Sequence, residues 1–279
     1  MPDGVIFVLC IVLGVAMGML SAMFGVGGAV ISTPGIRVLG ATPIESVGST
    51  LPSVLPSAIA GAARYQREGL VYWQVVARVA PWGCAASVGG AILSVHFPGK
   101  GHVQMILTAG LVLYTAITVS RRGDRKPVAA EAPTSGGGGA GTLVQDVQVQ
   151  SKDRYTDVVR CMVIGLGAGA LSGFLGVGGG ILMTPTFRGW LRLGLKETVA
   201  TSLACVGLIA IPSSLTHIAE GDVNWLYALP LCIGVIPGAR IGARWAIAAS
   251  DRKLRLAFGW GLGALGLAYG IAEIIALVK

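Results

Sequence analysis

Long apolar runs leave this sequence few ways to fold. Residues 4–20 and 102–120 contain no Asp, Glu, Lys or Arg, and residues 256–278 contain only Glu273. Runs of this kind match the roughly 20 helical residues that cross a ~30 Å hydrocarbon core. Charge agrees with that placement. Only 12% of the 279 residues are charged, against about 25% in a soluble domain. The fold class is therefore an all-α polytopic membrane protein. The N-terminus lacks a basic n-region, and its apolar run leads into Gly-rich sequence rather than a small-residue cleavage site, so no cleavable signal peptide is expected. Cys10, Cys84, Cys161, Cys205 and Cys232 all lie in apolar segments without a C-x-x-C pair. They read as small hydrophobes, so no disulfide, metal site or cofactor follows. The net charge of +8 is carried by basic residues at segment ends, where they set topology, and nucleic acid is not an expected partner.

A hydrophilic stretch from Arg121 to Asp157 divides the chain. It combines R-R-G-D-R-K, P-T-S-G-G-G-G-A-G and K-D-R-Y-T-D, a composition that cannot bury enough apolar area to order itself and reads as a linker. The flanking regions, 1–120 and 158–279, repeat one another. S-A-M-F-G-V-G-G (21–28) matches S-G-F-L-G-V-G-G (172–179), a shift of 151 that also takes Thr33-Pro34 to Thr184-Pro185 and Arg37 to Arg188. A shift of 152 takes E-S-V-G-S-T-L (45–51) to E-T-V-A-T-S-L (197–203), Gly69 to Gly221, Trp73 to Trp225 and Gly90-Ala91 to Gly242-Ala243. Internal duplication is the usual architecture of secondary transporters.

Each half opens with a short Gly-rich segment and continues in three longer apolar ones, about 43–63, 73–97 and 102–120, then 197–218, 224–248 and 254–278. If the opening is a hairpin that leaves on the side it entered, each half makes an odd number of crossings and the halves are inverted about the membrane plane. With the linker inside, Arg64, Arg67, Arg121, Arg122, Arg188, Arg192, Lys196, Arg252, Lys253 and Arg255 are all cytoplasmic. Glu220, Asp222 and both termini then fall outside. Four plain crossings per half would place the 188–196 and 252–255 clusters outside, so charge favours inversion.

The candidate binding features sit at the hairpins. F-G-V-G-G-A and L-G-V-G-G-G place Gly25, Gly27, Gly28, Gly176, Gly178 and Gly179 where an apolar helix loses about 1 kcal/mol per glycine. Neither carries the lysine of a phosphate loop. Close helix packing through small residues is the plainer account of one such motif, but recurrence in both halves favours a broken helix. The half-helix after Gly28 or Gly179 would present about +0.5 charge and free N–H groups to an anion. Ser49-Thr50 and Thr201-Ser202, equivalent by the repeat, offer hydroxyls to an oxyanion, or simply bond a carbonyl one turn back. Arg78, Arg240 and Arg244 lie within or near apolar runs and would either meet an anion or snorkel to headgroups. T-P-I-E reads as a capping box, with Thr42 as N-cap and Glu45 completing it, rather than as a proton relay. Pro52, Pro56 and Pro212 are expected to interrupt their helices. His217, aligned with Tyr65, is expected at the interface. The few His, Asp and Glu residues show no nucleophile–base pairing, so the chain does not read as an enzyme.

The paired motifs G-V-G-G-A-V-I-S-T-P and G-V-G-G-G-I-L-M-T-P, each followed by E-[ST]-V-[GA]-[ST]-[TS]-L, resemble the sulfite exporter TauE/SafE family of permeases. G-L-V-Y-W (69–73), G-D-V-N-W (221–225) and G-A-R-I-G-A (238–243) fit the same pattern, and the likeness covers the chain apart from the linker. The resemblance implies export of a sulfur-containing oxyanion, sulfite or an organosulfonate, across a bacterial inner membrane. An anion channel and a membrane-embedded sulfur-handling enzyme or assembly factor are the alternatives. Beyond a small anion and the lipid bilayer, the sequence names no partner, and it leaves the oligomeric state open.

Overall fold

A computed structural model describes residues 3–96, 107–114, 117, 158–250 and most of 252–264; the linker lies outside the described residues. The first half contains α1 (Asp3–Phe24), α2 (Ala29–Val38), α3 (Pro43–Arg67) and α4 (Trp73–His96). The second contains α5 (Val158–Leu175), α6 (Gly180–Trp190), α7 (Leu195–Ala219) and α8 (Trp225–Ala248). The described residues of 107–117 and 252–264 are helical and belong to the third long segment predicted in each half. No strand occurs among the described residues. Helices α1, α4, α5, α7 and α8 are long and apolar enough to cross a membrane, and the chain is a multi-pass membrane protein.

The opening hairpins differ from the short segment expected. Their first arms, α1 and α5, have 22 and 18 residues and span length. Only the return arms, α2 and α6, are short: 10 and 11 residues, about 15 Å of helix. Helix α3 has 25 residues but carries Ser46, Ser49, Thr50, Ser53 and Ser57, every one fully buried. Hydroxyl groups at such density are tolerated in a membrane only away from lipid, which places α3 inside the bundle.

The halves exchange partners. Helix α1 packs on α8, and its repeat equivalent α5 packs on α4. Glycine makes both seams. A Cβ on Gly14 would lie 2.7 Å from the Leu231 carbonyl oxygen, and one on Gly165 would strike the Val79 carbonyl. Gly18 likewise faces the Val235 carbonyl, and Gly169 faces that of Gly83. Shifts of 151 and 152 carry each of these contacts onto its counterpart. Small residues let the backbones touch, which is how helices associate where lipid tails cancel the hydrophobic effect.

Between the seams, α3 and α7 run in opposite directions. The start of α3 meets the end of α7: Asn224 N–H donates to Ser49 Oγ at 2.9 Å, and Gly48 abuts the Asp222 carbonyl. At the other end Tyr72 N–H donates to Thr201 Oγ1 at 3.2 Å. The expected capping box is present, with Glu45 Oε2 accepting from Thr42 N–H at 2.9 Å and Thr42 Oγ1 accepting from Glu45 N–H at 3.3 Å. Pro52, Pro56 and Pro212 do not interrupt their helices as expected, since α3 and α7 run through them. Proline at 212 leaves the Leu208 carbonyl without its helical donor. Cys84 supplies one, with its Sγ 3.5 Å away.

Candidate functional site

Six glycines build the two hairpin turns, and all six hold positive φ: Gly25 at 69°, Gly27 at 90°, Gly28 at 77°, Gly176 at 68°, Gly178 at 83° and Gly179 at 69°. A side chain in that region costs roughly 1–2 kcal/mol, so the turns are written in glycine. They reverse the chain and start α2 at Ala29 and α6 at Gly180, with Gly28 and Gly179 as N-caps. Neither helix start has a side-chain cap, although Ala29, Val30, Gly180 and Ile181 are buried. Two turns from opposite halves then meet. A Cβ on Gly27 would lie 3.5 Å from Gly178 Cα, and one on Gly178 would lie 3.6 Å from Gly27 Cα. Each turn also abuts the opposite half, Gly25 against Val199 on α7 and Gly176 against Val47 on α3.

Beneath the turns lie two hydroxyls that sequence reading passed over. Ser21 and Ser172 are repeat equivalents, fully buried, and neither hydroxyl has a partner among the described residues. An unsatisfied buried hydroxyl costs about 1–3 kcal/mol, which a polar ligand would recover. Ser21, Gly28, Val26 and Val30 border a cavity of about 10 Å³, room for at most one water. Both serines open the matched motif S-x-x-x-G-V-G-G, so the repeat itself contained the signal.

The hydroxyls singled out from sequence divide into two kinds. Ser49 and Thr201 accept backbone N–H groups from the loops of the opposite half. Thr50 Oγ1 donates to the Val47 carbonyl at 3.0 Å and lies 3.4 Å from Thr33 Oγ1. Ser202 Oγ reaches the Val199 carbonyl at 3.1 Å and the Gly25 carbonyl at 3.0 Å, which puts it on the first hairpin turn.

Of the arginines, Arg240 and Arg244 on α8 join Arg64 and Arg67 on α3 around a cavity of about 760 Å³ that reaches Pro56 midway along α3. Arg64 pairs with Glu68 at 3.1 Å. The repeat-equivalent positions are Val88 and Ile92 on α4 and Thr216 and Ala219 on α7, so the equivalent surface between those helices has no basic counterpart. Arg78 is half-buried on α4, outside this group.

His217 stands near the end of α7, where the sequence reading expected it, and its side chain faces into the bundle rather than outward. It is fully buried, as is Tyr65. Tyr65 Oη donates to the Ala22 carbonyl at 2.7 Å, and His217 Nε2 lies 3.4 Å from the Gly173 carbonyl, the equivalent atom of the other hairpin arm. His217 Nδ1 also lies 3.1 Å from Asp222 Oδ2. This His–Asp contact pairs a base with a carboxylate and a carbonyl, and it brings no nucleophile to the ring. All five cysteines are free, and no group of three His, Cys, Asp or Glu that could hold a metal occurs among the described residues.

Comparison with known proteins agrees with this architecture over nearly the full length. Probable membrane transporter protein YunE of Bacillus subtilis (strain 168) is 24% identical over 260 residues, covering 89% of this chain and 90% of its own. A probable membrane transporter protein of Xylella fastidiosa (strain Temecula1 / ATCC 700964) is 26% identical over 253 residues, with 88% and 86% covered. Probable membrane transporter protein MamO of Magnetospirillum gryphiswaldense is 25% identical over 251 residues, 82% of this chain but 39% of its own length. No solved structure matches. The profile of the family described as Sulfite exporter TauE/SafE matches residues 10–269, and the chain belongs to that family.

Proposed function

We propose that this protein is a secondary transporter that exports a small sulfur-containing oxyanion, sulfite or an organosulfonate, by alternating access across the bacterial inner membrane. Membership of the sulfite exporter family and the relatives' names as probable membrane transporters support transport. One observation carries the site: two uncapped, buried helix starts brought together by touching glycine turns, above two unpartnered serine hydroxyls. Backbone N–H groups and about +0.5 charge at each helix start suit an oxyanion without a buried lysine. Ser21 and Ser172 supply unpartnered hydroxyl donors beside the turns. The opposed directions of α3 and α7 support inverted halves, with the linker cytoplasmic and both termini outside. The arginine-lined cavity then opens toward the cytoplasm, where it gathers anions by attraction.

Reconstituted protein is expected to show saturable sulfite flux and counterflow, the latter separating a carrier from a pore. Gly28→Leu and Gly179→Leu each place a side chain at positive φ against a packed backbone and abolish flux while folded protein is still recovered. Normal flux in both variants overturns the hairpin site.

A further inference from the structure

We propose that His217 and Asp222 form a proton-binding site through which the exported anion is coupled to the transmembrane proton gradient; this rests on the transport reading above. The argument is a hydrogen-bond count. Nδ1 of His217 faces the Asp222 carboxylate at 3.1 Å, and Nε2 faces the Gly173 carbonyl at 3.4 Å. An ionised carboxylate and a carbonyl only accept, whereas a neutral imidazole has a single N–H to donate. Both contacts are satisfied only when the pair holds one further proton, either as imidazolium beside carboxylate or as imidazole beside carboxylic acid. Loss of that proton leaves one ring nitrogen's lone pair against an acceptor, the Gly173 carbonyl or the Asp222 carboxylate according to the tautomer, with the ring fully buried and the Asp222 side chain 15% exposed. Burial of the ring removes the water that would otherwise satisfy that lone pair.

The pair also sits where a proton can act on the anion site. His217 ends α7, Gly173 lies in the last turn of the hairpin arm α5, and the Asp222 loop docks on α3 at Gly48 and Ser49. Breaking the pair frees the arm that carries Gly176, Gly178 and Gly179. The first half lacks this device: Tyr65 donates one hydrogen bond to Ala22 and needs no second proton. Among the described residues, Asp222 is the charged group recorded at the ring. Glu220 on the same loop is exposed, Glu45 of α3 is held by Thr42, and His96 of α4 bonds the Ile92 carbonyl. Arg160 of α5 and Arg188 of α6 lie at the far ends of their helices from the pair.

The test compares wild type with His217→Gln and Asp222→Asn in proteoliposomes, using labelled sulfite as the probe. An imposed pH gradient is expected to drive wild-type sulfite above equilibrium. Both variants are expected to keep counterflow within about twofold, since exchange moves no net proton, while gradient-driven accumulation falls at least about tenfold. His217→Tyr, which copies the first half, should behave likewise. Gradient-driven accumulation unchanged in the variants, or absent in a wild type that shows counterflow, overturns the inference and leaves the transport reading standing. A second readout does not need flux. With three histidines in the chain, ¹⁵N-histidine spectra assigned by His217→Gln should show the tautomer and protonation of the His217 ring responding to Asp222→Asn. A His217 signal unmoved by Asp222→Asn overturns the proposal, as does protein without sulfite flux, which sinks the transport reading it rests on.

Discussion

The two halves of the molecule agree wherever backbones touch and differ wherever charge is placed. Gly14 and Gly18 meet α8 as Gly165 and Gly169 meet α4, and the six turn glycines adopt matching positive φ angles. By contrast Tyr65 answers His217, Thr42 answers Gly194, and the α3–α8 arginines answer Val88, Ile92, Thr216 and Ala219. Close approach admits one residue type, so both copies carry it. A hydrogen-bond donor or a charge admits several, and each half uses its own. The shared features therefore hold the fold and the hairpin turns, while the unshared ones make the two halves chemically unequal.

The seams test the agreement most severely. A Cβ at Gly18 would meet the Val235 carbonyl and Ala239 N, and one at Gly169 would meet the Gly83 backbone. Gly18→Val and Gly169→Val should each cost about 3 kcal/mol or more, because rigid backbone on both sides cannot give way. The measure is the recovery of monodisperse protein and its thermal midpoint. A seam that tolerates valine while its counterpart does not would break the equivalence of the halves. Charge tests the difference. Arg240→Gln with Arg244→Gln removes two donors from the arginine-lined cavity and should raise the KM for sulfite from the side on which it opens roughly tenfold, the worth of about 1.4 kcal/mol. The KM from the opposite side, where the equivalent positions carry no charge, should stay unchanged.

Ser21→Ala and Ser172→Ala ask which pattern the binding site follows. Each deletes one unpartnered hydroxyl worth about 1 kcal/mol to a bound oxyanion, so each should weaken sulfite binding about fivefold. Protein stability should hold or rise, since a buried unsatisfied group is removed. Equal losses place the serines with the shared features. A loss confined to one of them makes the anion site asymmetric.

Much of this was legible in the sequence, for a physical reason. Span-length apolar runs, glycines forced by positive φ and the Thr42–Glu45 box are local demands that leave a local mark. The duplication made the pairing of turns foreseeable, because equivalent breaks in two repeated halves can meet where the halves pack. The inward contacts of His217 were hidden because they are made 44 residues away at Gly173, and its alignment with a tyrosine covers a common role with unlike chemistry. Ser21 and Ser172 were matched yet passed over. Their distinction is the absence of a partner, and only coordinates reveal that. The arginine cavity needed the packing of α3 on α8, which no periodicity in either helix announces.

The smallest asymmetry is also the cleanest to reverse. In both halves a glutamate three residues into the long central helix accepts the N-cap backbone N–H, Thr42 to Glu45 at 2.9 Å and Gly194 to Glu197 at 3.0 Å. Only Thr42 returns the bond through a side chain, so only the first cap is complete. Thr42→Ala should lose about 1 kcal/mol of stability, and Gly194→Ser should gain a few tenths. Gly194 sits at φ −59° and ψ 161°, which serine adopts freely, and the nearest atom to its added Cβ is a flexible carboxylate oxygen 3.2 Å away. Thermal midpoints of the two variants should therefore move in opposite directions, the loss larger than the gain. If Gly194→Ser destabilises instead, the glycine at the start of α7 answers to close packing like the seams, and the caps belong with what the halves share.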